Sequence, residues 1–279
     1  MKRIISLLAV LTLVGATVAI GQINYSGGTY SENFDTILNT DGNGTTMSGV
    51  GSVGAQDAIP TLTTWRAARV GGTGTGTFAL FADWGGSGTG RLYSYGTTAG
   101  SPIYYERALG SVGSGTTIPG FGTYFINASA ETYASLTFNF DREVWRNQSA
   151  AADQSLTFSY GLLSGGGGIT ADNFLTSAGM TAYPALNATS PAALGGVASA
   201  GRDGNAEPYK AHVSATITGI SWAPGDTLFI RWSDADDTGT DAGISIDNLT
   251  LVAVVPEPSC GLLLGLGVAA LALLRRNSR

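Results

Sequence analysis

The sequence predicts an all-β chain folded as an antiparallel β-sandwich. Three observations predict it. Segments in the second half alternate apolar and polar residues with a period of two, the pattern of strands that bury one face. Glycine is abundant, at 41 of 279 residues, and with Ser and Thr it punctuates the chain at short intervals with turn formers. Strand patterns follow one another without intervening amphipathic helices, which excludes the βαβ order of a parallel sheet.

Taken in chain order, the first element is not part of the fold. Met1, Lys2 and Arg3 form a basic start, Ile4 to Val14 an apolar run, and Ala16, Ala19 and Gly21 a small-residue end. This is the pattern of a secretory signal peptide over residues 1–21, cleaved after Ala19 or Gly21. A retained anchor is the other reading, against which the short run and its small-residue end argue.

In the first half of the body, strands are expected at Phe78 to Phe81, Arg91 to Tyr95, Tyr105 to Leu109 and Gly122 to Ile126. The glycine-rich runs Gly71 to Gly76 and Gly85 to Gly90 read as turns between them. The second half is clearer. Leu136, Phe138 and Phe140 alternate with polar residues, as do Leu156, Phe158 and Tyr160, then Val213, Ala215 and Ile217, then Leu228, Ile230 and Trp232. Ile244 and Ile246 start a last strand whose parity slips to Leu249 and Leu251, which predicts a bulge near Asn248. Residues 161–206 read as long loops around one short helix near Thr170 to Ala178.

The C-terminal segment, residues 255–279, follows its own physics. Pro256 and Pro258 fix φ and remove two backbone donors, so Val255, Pro256, Glu257 and Pro258 form an extended strip. An apolar run from Gly261 to Leu274 follows, roughly 21 Å long as a helix against a hydrocarbon core of about 30 Å. Arg275, Arg276 and Arg279 close it and are expected to stay cytoplasmic. These three parts in order resemble the PEP-CTERM sorting signal. The resemblance implies an exported Gram-negative protein, processed by signal peptidase and by an exosortase, a membrane-embedded cysteine protease. A plain uncleaved anchor is the alternative.

Between the ends lies one domain, residues 22–254, with nine basic and nineteen acidic side chains and hence a net charge of −10. Such a body repels phosphate backbones, so nucleic acid is not expected as a partner. The only cysteine, Cys260, lies in the tail, so no disulfide holds the body together.

Scattered blocks of the body resemble a family of exported β-sandwich domains found in front of such tails. They include Asn33 to Asp35, Arg91 to Gly96, Glu106 to Ser111, Glu143 to Arg146, Leu228 to Asp237 and Gly243 to Leu249. The closing strand is similar to that of jelly-roll carbohydrate-binding and lectin-like domains. The resemblance implies a jelly roll, and a structural calcium joining first and last strands through Glu32, Asp35 and Asp247.

Little in the residues points to catalysis. His212 is the only histidine, no Gly-x-Ser-x-Gly elbow is present, and a zinc site lacks ligands. Gly85 to Gly90 lacks the Lys and the following helix of a phosphate loop. Paired carboxylates of a glycosidase are conceivable among Glu106, Glu143 and Glu207 if they share one sheet face. In the acidic loop, Asp234, Asp236 and Asp241 surround the turn residue Gly239 and form the best calcium candidate, although not an EF-hand. Trp65, Trp84, Tyr93, Tyr95, Tyr104, Tyr105 and Trp145 are candidates for a sugar-stacking platform, with core packing as the competing use of each. The expectation is a non-enzymatic, structural or adhesive protein of the cell surface or extracellular matrix. Its alternatives are a carbohydrate-binding module for an exopolysaccharide and, third, a glycoside hydrolase or lyase.

Overall fold

The computed structural model describes residues 21–37, 44–47, 56–75, 78–97, 106–163 and 168–256. The expected signal peptide, apart from Gly21, lies outside the described residues, as do Tyr104, Tyr105 and the tail from Glu257 onward, including Pro258, Gly261, Leu274, Arg275, Arg276 and Arg279. Among the described residues no helix is long and apolar enough to cross a membrane.

The described chain is all-β. Its strands are β1 (Ile23–Tyr25), β2 (Thr29–Glu32), β3 (Gly44–Met47), β4 (Gln56–Ile59), β5 (Leu62–Gly71), β6 (Phe78–Asp83), β7 (Arg91–Tyr95) and β8 (Ala108–Val112). They continue with β9 (Ile118–Asn127), β10 (Tyr133–Arg146), β11 (Gln154–Leu163), β12 (Thr181–Ala182), β13 (Ala188–Ser190), β14 (Lys210–Trp222), β15 (Thr227–Ser233) and β16 (Gly243–Val254). Two sheets form. The first runs β12-β11-β15-β9-β5-β4, with β1 on β9 and β13 on β11; the second runs β14-β10-β16-β8-β7-β6-β3, with β2 on β16. Pairing is antiparallel except for β1 with β9 and β6 with β7.

The alternating residues face the space between the sheets. Leu136, Phe138 and Phe140 of β10 meet Leu156 and Phe158 of β11, Leu228, Ile230 and Trp232 of β15, and Ile244, Ile246, Leu249 and Leu251 of β16 in one core. Trp232 sits at its centre, with Phe158, Phe140, Phe121 and Trp65 rings 4.9–6.3 Å away. Trp65 is therefore a core residue and no part of a surface platform. The parity slip in β16 is a bulge: Asn139 pairs with Thr250 but Asp141 with Asp247, and Asn248 takes φ of +51°.

Two expectations change. Residues 170–178 form turns rather than a helix. The Nη1 of Arg231 donates to the carbonyls of Phe174, Leu175 and Ser177 and ties the segment to β15. Phe174 and Leu175 instead cap the outer face of the first sheet against Tyr124 and Phe229. That cover explains why β5 was illegible: residues 65–69 are buried on both faces, so the strand shows no alternation. The strand expected at Tyr105 to Leu109 begins later, at Ala108, because the N–H of Arg107 is taken by Asp35 Oδ1 at 3.0 Å.

Candidate functional site

Strand parity decides what stands on the outer face of the second sheet. With Phe138 and Phe140 turned inward, Asp141, Glu143 and Trp145 turn outward. With Ile244 and Ile246 inward, Ser245 and Asp247 turn outward. The register then sets Lys210 of β14 beside Glu143 and Glu143 beside Ser245, with His212, Asp141 and Asp247 in the next row. Further along the sheet, Tyr93 and Tyr95 of β7 share this face with Trp145. The rings of Tyr93 and Tyr95 stack at 5.0 Å, and those of Tyr95 and Trp145 at 5.9 Å with an interplanar angle of 3°.

Three of the aromatic residues singled out in the sequence thus form a stack, but a buried one. Residues 84–90 and 200–209 close over it. Tyr93 donates to Thr89 O at 2.8 Å, and Arg202 N–H donates to Trp145 O at 2.7 Å. Trp84 ends up outside. At 47% exposure it is the only aromatic residue in the exposed class among the described residues. Its ring lies against glycine backbone: a Cβ at Gly201 would fall 2.6 Å from Trp84 Cζ3 and one at Gly86 3.1 Å from Cζ2. Gly204 plays the same part under Trp145, where a Cβ would come within 2.4 Å of Cε2. These glycines let flat rings rest on the main chain and fix their orientation.

Trp84, Trp145, Thr97, Gly201, Arg202 and Asp203 line a surface cleft of about 260 Å³. Thr97 Oγ1 and Arg202 Nε are buried there without a hydrogen-bond partner in the protein. The cleft therefore combines an open aromatic ring, a guanidinium, an exposed carboxylate and unsatisfied polar atoms. That is the equipment for stacking on a sugar ring and hydrogen bonding its hydroxyls.

Behind the cleft lies a cluster that only part of the sequence reading foresaw. The carboxylates of Glu106, Glu143 and Asp247 approach so that one oxygen from each lies within 4.8 Å of the others. Glu106 and Glu143 do share the site, but their third member is Asp247, while Glu207 is exposed on the covering loop. Glu143 and Asp247 are 0% and 1% exposed. Two unit charges within that distance would repel by at least about 3.5 kcal/mol at an effective dielectric of about 20. Burial first, and then the neighbouring carboxylate of Glu106, push Glu143 upward, while Lys210 and Trp145 pull it back. Burial first, then Glu143 and Glu106, push Asp247 well above the usual carboxylate range. Lys210 Nζ lies 3.3 Å from Glu143 Oε1 but is shared with Asp141 Oδ2 at 3.2 Å. His212 pairs with Asp141 at 3.2 Å and is largely exposed, a surface strand residue.

The two sequence-derived calcium sets are placed differently. Glu32 lies opposite Leu249 and accepts the Phe34 N–H, and Asp35 accepts the Arg107 N–H, so both border the corner that holds Asp247. In the acidic loop, Asp234 accepts Ser111 Oγ at 2.6 Å and the Ala235 N–H at 2.9 Å, Asp241 accepts the Asp237 N–H at 3.1 Å, and Asp236 is exposed. Burial pushes both Asp234 and Asp241 up to about 7. Among the described residues, the only acidic trio gathered within 4.8 Å is Glu106, Glu143 and Asp247. Its outward parity was readable from the alternation, but the adjacency of β8, β10 and β16 was not.

No protein-family model and no curated protein matches the chain. Similar solved structures include a carbohydrate-binding module in complex with β-1,4-galactotriose, 8% identical, over 53% of this chain and 71% of that one, at a TM-score of 0.25. An isomalto-dextranase of Arthrobacter globiformis complexed with panose is 12% identical, over 82% of this chain and 33% of that one, at 0.30. A tryptic core variant of the Bacillus thuringiensis Cry1Da protein is 13% identical, over 60% and 24%, at 0.25. Likeness at this level carries no argument about the site, whose reading rests on its own geometry.

Proposed function

We propose that this chain is an exported, jelly-roll-like β-sandwich that binds polysaccharide at the cell surface or in the extracellular matrix, after removal of its tail near Pro256 and Pro258. The observation that carries the binding reading is Trp84, packed on glycine backbone and 47% exposed beside Arg202, Asp203 and Thr97. A buried stack of Tyr93, Tyr95 and Trp145 keeps the floor of the cleft rigid, so little ordering is required on binding. The acidic body and the resemblance of residues 255–279 to a sorting signal support delivery to the envelope, with signal peptidase and an exosortase as processing partners.

Binding is favoured over hydrolysis. A glycosidase needs two carboxylates about 5–10 Å apart flanking a reachable bond. Here Glu143 and Asp247 are closer than that and sealed from solvent. The protein is therefore read as non-enzymatic.

Two measurements test the reading. Intact mass and fractionation of the native protein should give a product ending near Val255 to Ser259 outside the inner membrane; a chain ending at Arg279 in the inner membrane would make the tail a plain anchor. Affinity electrophoresis through gels containing exopolysaccharides should retard the protein in at least one of them. Unaltered mobility in all, including the host's own matrix polysaccharide, would remove the binding reading.

A further inference from the structure

We propose that Glu106, Glu143 and Asp247 form a binding site for one hard divalent cation, best suited to calcium. Calcium binds oxygens at about 2.3–2.6 Å, so two oxygens on opposite sides of one ion lie roughly 4.6–5.2 Å apart. The three carboxylates each bring an oxygen within 4.8 Å of the others, which fits inside that span.

A second observation is independent of the count of acidic groups. Asp247 is 1% exposed, and its Oδ1 is buried with no hydrogen-bond partner, while Oδ2 accepts the Asn248 amide at 2.8 Å. A buried oxygen that no donor reaches, on a carboxylate clustered with two others, calls for a cationic ligand. Its neighbours are already oriented. Glu143 Oε2 accepts Trp145 Nε1 at 3.0 Å, and Glu106 Oε2 accepts the Asn205 amide. The donor set is oxygen only, which selects the hard cations over zinc or copper. The one ammonium in reach, Lys210, is divided between Glu143 and Asp141 and forms no ion pair with Glu106 or Asp247.

The site has a structural consequence. Glu106 precedes β8, Glu143 lies on β10 and Asp247 on β16, so one ion would tie three neighbouring segments of the sheet. Through Asn205 and Trp145 it would also brace the loop and floor of the cleft.

The test uses the whole protein, stripped of metal with a chelating resin. Terbium(III), a luminescent stand-in for calcium, is titrated in while tryptophan is excited; the indole of Trp145 touches the site and should sensitise the emission. One equivalent is expected to bind, calcium to displace it, and calcium alone to raise Tm. Asp247→Asn should weaken calcium binding by about tenfold or more, since affinity follows ligand charge. If Asp247→Asn does not fold, Glu106→Gln, at the half-exposed member, should show the same loss. Absence of binding at millimolar calcium would overturn the proposal. So would binding that survives these variants, or that is lost only in Asp234→Asn, which would move the site to the acidic loop.

Discussion

Replacing Trp84 with alanine is the sharpest perturbation of the cleft, because it removes the open ring and leaves the main chain of the cleft in place. A tryptophan carries about 150–250 Å² of surface, and 47% exposure leaves roughly 100 Å² open. A sugar ring laid on it would cover about 60–100 Å², worth about 1.5–2.5 kcal/mol at about 25 cal/mol per Å². Trp84→Ala should therefore weaken binding about tenfold to seventyfold. The buried half of the side chain, about 80–130 Å², sets a stability loss of about 2–3 kcal/mol by the same measure, which a core of this size should survive. The assay is calorimetric titration with fragments of whichever polysaccharide retards the wild type, alongside urea denaturation of both proteins. Equal affinity of Trp84→Ala and wild type, with both folded, would refute the cleft as the binding site.

Other expectations follow from the same structure. Trp232→Ala empties the middle of a core packed by four other rings and should cost about 3–5 kcal/mol in urea denaturation; a loss below about 1 kcal/mol would contradict the packing described. Gly85 has φ of +87°, and a Cβ there would sit 1.7 Å from the Trp145 carbonyl, so Gly85→Ala should displace residues 84–90, lower Tm and abolish glycan binding together. A variant with unchanged Tm would show that the segment does not pack as described. Asp234, raised from 3.8 to about 7, binds its proton more tightly folded than unfolded, so its contribution is complete below about pH 4 and is lost as pH rises towards 7. The full shift sets a ceiling of about 4 kcal/mol, which relaxation of this half-buried loop reduces to about 1–2 kcal/mol. In chelator, wild type should lose stability between pH 5 and pH 8, and Asp234→Asn should lose less; parallel losses would refute the assignment.

The alternation of β10, β11, β15 and β16 was legible because each buries one face, and the parity slip at Asn248 was legible because its neighbours on both sides kept their period. Strand β5 was not, since the segment at 169–175 covers the face that would otherwise have been polar. The helix expected over 170–178 failed for a related reason. Its apolar residues are real burial signals, but they serve a turn whose carbonyls are held by Arg231, a partner more than fifty residues away.

The same distinction explains the site. Parity alone placed Glu143, Trp145 and Asp247 outward, and outward residues on a sandwich are expected to meet water. They do not, because the loop at 200–209 runs back along the end of β10, bonding Arg202 to Trp145 and Tyr209 to Val144 through the main chain. That loop reads as featureless in the sequence, rich in Ala and Gly, yet its glycines are what allow it to lie flat on the rings of Trp84 and Trp145. Covering the outer face buries Glu143 and Asp247 beside the half-exposed Glu106 and strands one tryptophan at the margin. Site and cleft are thus products of one event, the docking of this loop. A substitution that lifts it, such as Gly204→Val beneath Trp145, should expose the stack and relieve the carboxylates in the same step. Tryptophan emission should shift red while glycan affinity falls, and either change without the other would separate the two features.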